Sequence, residues 1–195
     1  MNWLQSNFLN ISYDNNFLGE SKERPVNMLE AKLWRNPCPF TFRINYLALL
    51  YNTPLYKLVR KNYDLKRPEY VVLFSLALSE GGSASEVSNT SGFPKNTLSR
   101  AINILETRGF LVKKMNSSED GRKQSLYLSK SGWEIINETL PIFEEQEKRM
   151  LNSLTLGERQ ILFELLSKVV LGAQEWAQNL PSKDKLNIKD SLDES

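Results

Sequence analysis

The sequence predicts a mainly α fold of the α+β class with one β-hairpin, and three observations lead there. Apolar residues recur at helical spacing through most of 41–178. Two helical stretches are joined by the tight Ser91-Gly92 turn, which makes them a helix-turn-helix. Directly behind the second lie two short apolar runs, Phe110-Leu-Val112 and Leu126-Tyr-Leu128, flanking a polar stretch that contains Asp120-Gly121. That is a hairpin pattern, and a hairpin in this position makes the motif a winged helix-turn-helix.

The elements follow in order. Leu4, Phe8 and Ile11 have the spacing of a short amphipathic helix, and a second candidate after Pro25 puts Val26, Leu29 and Leu33 on one stripe. A longer helix begins near Arg43, with Ile44, Leu47, Tyr51, Leu55 and Leu58 on one face. Pro54 interrupts it, so the helix either kinks or restarts with Thr53 as its N-cap. Pro68 opens the next helix, which runs through Leu78 and stops at Gly81-Gly82. Ser83-Ala-Ser-Glu86 is a capping box for a short helix to about Thr90. Pro94 suits the first position of a helix whose Leu98, Ala101, Ile102 and Leu105 face inward, with Gly109 closing it. After the hairpin, Ser129 caps a helix carrying Trp133, Ile136, Leu140 and Phe143, and Pro141 bends it. Thr155-Leu-Gly-Glu158 is a second capping box, opening a helix with Leu162, Leu165, Val169 and Trp176.

Composition excludes much of enzymology. The 195 residues contain no histidine and a single cysteine, Cys38. No Ser-His-Asp triad, Cys-His pair, histidine-metal cage, thiolate zinc site or intramolecular disulfide can be built from this set. The reading is therefore no catalytic residues, no metal and no cofactor. The longest apolar run, Val71 to Leu78, is too short to span a bilayer, and no Lys or Arg precedes Lys22 as a signal peptide requires. A cytoplasmic protein with no membrane partner is the expectation.

The net charge of +2 hides an asymmetry. Residues 1–133 carry 18 Lys/Arg against 11 Asp/Glu, and residues 134–195 carry 7 against 12. A basic segment beside an acidic one fits a nucleic-acid face joined to a different kind of module. The outward side of the second helix shows where that face lies. It presents Lys95, Asn96, Thr97, Ser99, Arg100 and Asn103, and no carboxylate precedes Glu106. These are the side-chain types that read base edges and hold phosphates. On the hairpin tip, Asp120 can brace Arg122 across a glycine beside Lys123, and a projecting Arg suits a minor groove.

At these residues the stretch from about Leu55 to Val170 resembles the MarR family of winged helix-turn-helix transcriptional regulators. The matching motifs stand in the family's order: Arg67-Pro-Glu-Tyr70, Ser85-Glu-Val87, Lys95-Asn-Thr-Leu-Ser-Arg100, Leu105-Glu-Thr-Arg-Gly-Phe110, Glu119-Asp-Gly-Arg122 and Leu128-Ser-Lys-Ser-Gly132. The resemblance implies a homodimer whose terminal helices interleave into a base. It implies two winged lobes on a pseudopalindromic stretch of double-stranded DNA, and regulation that in this family is most often repression. Lys95, Asn96, Ser99 and Arg100 would meet the major groove, and Arg122, braced by Asp120, the minor groove. Family members commonly respond to small molecules, so a small-molecule effector of unidentified chemistry is a further partner, with no pocket residues assigned. Two features depart from the family: a long N-terminal extension and Pro54 inside the first long helix.

The resulting organisation is a 1–40 extension packing on the base, a 41–66 first long helix for dimerisation and a 67–129 winged lobe. Residues 130–180 are C-terminal dimerisation helices, and 181–195 form a mobile tail. Two other readings stay open. Some family members sense peroxide through a cysteine near the first long helix, where Cys38 lies near Arg35 and Arg43. A dimeric protein-interaction scaffold without DNA binding is the alternative of another class.

Overall fold

A computed structural model describes residues 27–115 and 124–177. The helix candidate at Leu4, Phe8 and Ile11, the wing-tip residues Asp120, Arg122 and Lys123, and the 181–195 tail lie outside the described residues. The described chain forms two compact units divided between Gln146 and Glu147.

In the first unit, α1 (Met28–Trp34) follows an Asn27 N-cap whose side-chain oxygen accepts the Glu30 N–H at 2.9 Å. It packs on the start of α2 (Pro39–Tyr63), where Phe42 stacks on Tyr46 and the Arg43 guanidinium lies 5.1 Å above the Trp34 ring. Helix α2 runs unbroken through Pro54, so the restart at Thr53 does not occur. Proline removes one N–H, which leaves the Leu50 carbonyl without its donor. Pro54 is itself exposed, and one residue further on Leu55 is buried in the core. Burial of Leu55 and Val59 holds the helix through the interruption.

Asp64, in the left-handed region, ends α2. Helix α3 (Arg67–Leu78) begins with the Glu69 carboxylate accepting the Lys66 N–H at 2.8 Å. Helix α4 (Ala84–Ser91) carries the expected capping box: Glu86 accepts the Ser83 N–H, and Ser83 Oγ accepts the Glu86 N–H. Helix α5 (Lys95–Thr107) starts with Pro94 as N-cap, one position before the first helical residue the sequence assigned it. Strands β1 (Leu111–Met115) and β2 (Gln124–Leu128) pair antiparallel, with Leu111 opposite Leu128 and Lys113 opposite Leu126. Helix α6 (Lys130–Met150) follows, with Ser129 Oγ accepting the Gly132 N–H at 3.1 Å as the expected cap.

One core joins these elements. Leu55, Val59, Tyr70, Leu73, Leu76, Val87, Leu98, Ile102, Leu105, Leu126, Ile136 and Phe143 are all buried in it. Phe143 stacks on Tyr70 at 5.0 Å, and the Tyr51 hydroxyl donates to the Phe143 carbonyl at 3.1 Å. Phe143 and half-buried Trp133 therefore pack within this unit. The core's polar pair is Tyr70, whose hydroxyl donates to Thr139 Oγ1 at 2.8 Å, and Thr139, which donates to the Ile135 carbonyl at 2.7 Å.

The second unit comprises the end of α6, helix α7 (Leu156–Leu171) and the short α8 (Ala173–Trp176). The Thr155–Glu158 capping box opens α7 as expected, and the Thr155 N–H and hydroxyl, both donating to Glu158, hold its carboxyl below the ordinary value. Helix α7 buries none of its residues, and Ile161, Phe163, Leu165, Val169 and Val170 are exposed.

The junction between α5, the hairpin and α6 is closely built. Gly109, at φ +74°, ends α5, and its carbonyl accepts the Ser129 and Ser131 hydroxyls at 2.6 and 2.9 Å. The Phe110 carbonyl accepts the Ser129 N–H at 3.0 Å. A Cβ at Gly132 would overlap that same Phe110 oxygen. Gly132→Ala is therefore expected to destabilise the protein by about 3 kcal/mol, the upper end of overpacking costs. That loss outweighs a helix-propensity gain of ~1 kcal/mol, and urea unfolding measures it.

Burial pushes the Tyr70 phenol up to about 12. The folded value exceeds the ordinary 10.0, so the stabilisation is complete below pH 10 and lost as pH rises towards 12. The urea midpoint should fall across that window, and Tyr70→Phe should flatten the fall.

Candidate nucleic-acid interface

Helix α5 is divided by its own periodicity. Leu98, Ala101, Ile102 and Leu105 are buried, so Asn96, Ser99, Arg100 and Asn103, at i, i+3, i+4 and i+7, form an exposed stripe on the opposite side. Lys95 is also exposed, and Thr97 is half-buried at the edge of the stripe. The structure thus brings together all six helix residues that the sequence placed on this face, five of them exposed. The Asn96 side-chain oxygen accepts the Thr97 N–H at 2.8 Å. The Arg100 and Lys95 side chains make no hydrogen bond or ion pair among the described residues.

The cations around this stripe differ in their availability. Arg108 donates to the carbonyls of Asp64 and Tyr63 at 2.9 and 2.8 Å and stacks over Phe110, which ties the end of α5 to the end of α2. Lys114 lies 4.7 Å above the Tyr127 ring. The Arg67 guanidinium sits over both Tyr56 and Phe93, two residues before Lys95. Lys113 Nζ is 2.6 Å from the Glu106 carboxylate and donates to the Asn103 side-chain oxygen at 3.1 Å. Its placement follows from the pleat: Lys113 shares a face with buried Leu111 and lies opposite buried Leu126, so it turns towards α5. Alternation counted from Leu111 carries that signal in the sequence, whereas net charge alone groups Lys113 with the solvent-facing cations.

The hairpin is held to the helix-turn-helix by backbone pairing. The Gly81 N–H donates to the Leu126 carbonyl, and the Leu126 N–H donates to Gly82. Gly81 has φ +78°, and a Cβ there would press on the Tyr127 hydroxyl at 3.1 Å. The Trp133 indole N–H donates to Glu80 at 3.1 Å. Cys38, the N-cap residue of α2, is exposed, its N–H donates to the Asn36 side chain, and nearby Arg43 is turned onto the Pro39 carbonyl. Among the described residues no group of His, Cys, Asp or Glu could hold a metal, and no helix is long and apolar enough to cross a membrane.

Two consecutive helices with a tight turn and a paired hairpin define a winged helix-turn-helix protein. Comparison with known proteins places it more closely. The family model for the transcriptional regulator SarA/Rot matches residues 54–139, a little under half of the chain. The transcriptional regulator HosA of Escherichia coli O157:H7 is 25% identical over 107 residues, 55% of this chain and 78% of that protein. Among solved structures, a MarR-family transcriptional regulator from Silicibacter pomeroyi superposes with a TM-score of 0.63 at 22% identity, over 77% of this chain and 96% of that one. MepR of S. aureus, solved as a DNA complex, gives 0.59 at 14% identity over 68% and 95%. The resemblance read from the sequence motifs is borne out: the chain has the winged-helix fold of these proteins and is similar to transcriptional regulators of the MarR/SarA type. The matched proteins are regulators rather than enzymes.

Arg108 is a structural cation by this geometry. Arg108→Ala is expected to cost about 1–2 kcal/mol of stability through its two charge-assisted hydrogen bonds. Arg108→Lys should recover only part of it, because an ammonium lacks the fork that spans two carbonyls. Urea unfolding of the two variants measures both effects.

Proposed function

We propose that the protein is a cytoplasmic, sequence-specific DNA-binding regulator that acts as a homodimer on a pseudopalindromic operator, whose occupancy represses transcription. The observation that carries this reading is the exposed stripe of α5. It offers Lys95, Asn96, Ser99, Arg100 and Asn103 on a rigid helix, and its one carboxylate, Glu106, is paired with Lys113. A two-faced helix of this size fits a major groove, where Arg and Asn side chains distinguish base edges. The wing residues Asp120, Arg122 and Lys123 belong to the same reading as a minor-groove contact. A small-molecule effector of unassigned chemistry would release the DNA.

Two apolar surfaces support the homodimer. Phe40, Ile44, Leu47, Leu49 and Leu50 are exposed on the first half of α2, and α7 exposes a comparable set. Apolar surface on this scale marks an association site, and a two-fold dimer covers the same patch on both copies.

The test is a titration of wild type and Arg100→Ala against a duplex selected from a random pool and against a scrambled one. The Arg100 side chain is exposed and makes no hydrogen bond or ion pair among the described residues, so folding should be unchanged while discrimination falls by about 1–3 kcal/mol. A dimer neutralising six to ten phosphates should also lose about 10³–10⁵ in affinity between 50 and 200 mM salt. An unchanged ratio together with a flat salt response would instead favour the protein-interaction scaffold.

A further inference from the structure

The outward stripe of α5 carries two amides, and both have their oxygens turned inward. Asn96 Oδ1 accepts the Thr97 N–H at 2.8 Å, and Asn103 Oδ1 accepts Lys113 Nζ at 3.1 Å. The assignment is fixed chemically, because a backbone N–H and an ammonium can only donate and so must face the oxygen of each amide. The third strong acceptor on the helix, the Glu106 carboxylate, is held 2.6 Å from the same ammonium. Lys113 is placed to do this by the pleat of β1, which puts it on the face of Leu111 and opposite Leu126, with its side chain only 22% exposed. One lysine on the wing's first strand therefore clasps two acceptors on the neighbouring helix.

We propose that Lys113 is a specificity-determining residue: by clasping Asn103 and Glu106 it makes the reading face of α5 a surface of hydrogen-bond donors. The inference rests on the DNA-reading function proposed above. The base chemistry follows. An asparagine reads adenine by presenting oxygen and nitrogen together, to the N6 donor and the N7 acceptor. With its oxygen turned onto Lys113, Asn103 presents only its NH₂ group. It then suits a base edge that shows acceptors alone, the N7 and O6 of guanine or the O4 of thymine. Lys113 spends its charge inside the protein rather than on a phosphate.

The experiment selects bound duplexes from a random pool with four full-length proteins: wild type, Asn103→Ala, Lys113→Met, and Lys113→Met combined with Glu106→Gln. Methionine keeps the aliphatic stem against the core face, and thermal unfolding confirms that each variant is folded. For wild type, one base pair per half-site should favour guanine or thymine, roughly 2- to 12-fold, the worth of a single hydrogen bond. Asn103→Ala should erase that preference and so identify the pair. Lys113→Met should weaken all duplexes by uncovering Glu106, and the double variant should restore affinity while shifting the identified pair towards adenine. The salt dependence of the double variant should match wild type, because no phosphate contact has been removed. A slope reduced by about 0.9 for each lysine lost would make Lys113 a phosphate contact and overturn the proposal. So would a selected site that is identical in wild type and the double variant, or one that Asn103→Ala leaves unmoved. If wild type enriches no sequence at all, the DNA-reading function itself fails, and this inference with it.

Discussion

The junction at Gly109 and Phe110 is the constraint on which the rest of the lobe depends. Three elements meet there: the end of α5, the start of the wing and the first turn of α6. Two adjacent carbonyls take the Ser129 and Ser131 hydroxyls and the Ser129 N–H, and Gly132 lies close enough to exclude any side chain. The left-handed turn at Gly109 reverses the chain so that β1 leaves beside α5 rather than away from it. Because the strand leaves at that angle, its pleat delivers Lys113 to Asn103 and Glu106. The chemistry shown by the outward face of α5 is set by backbone geometry one turn beyond the helix.

The same core that fixes this junction orients α5. Leu98, Ala101, Ile102 and Leu105 occupy the centre of a cluster to which every element of the lobe contributes from α2 onward. Burying Leu98, Ile102 and Leu105 stabilises the fold by about 1.5–3 kcal/mol each and fixes which side of α5 faces the core. Its polar stripe is the geometric complement of its apolar one. Arg108 and the Arg67 stack on Tyr56 and Phe93 then tie the two ends of α5 back to α2.

Much of this was legible in the sequence, for identifiable reasons. Capping boxes at Ser83 and Thr155, the Gly109 stop and the Ser129 cap are local devices whose partners lie within three or four residues, so spacing alone reveals them. The hairpin itself was visible as two apolar runs, but its register, with Leu111 opposite Leu128, is shifted by one residue from an end-to-end pairing of those runs. Pro54 was not decided locally, because the tertiary burial of Leu55 and Val59 overrides a missing hydrogen bond. Long-range partners were likewise hidden. Arg108 and Lys113 read as two more surface cations until the fold brought Asp64, Tyr63 and Glu106 to them. The neighbours of Phe143, namely Tyr51, Tyr56 and Tyr70, lie more than seventy residues away, so spacing along its own helix could not name them. For the site, the residue types on α5 were readable from periodicity, whereas which of their atoms remain free required the neighbouring strand.

The central claim is that the exposed stripe of α5 lies against DNA bases when the protein is bound. Its most direct test is a photoreactive side chain placed at Ser99, in the middle of that stripe, compared with one at Glu144, exposed on α6. Irradiation of each protein bound to a selected duplex should give a protein–DNA adduct from position 99, at a base within the site, and none from position 144. Tight binding with no adduct from position 99 would contradict the account, because the stripe would then face solvent while some other surface held the DNA.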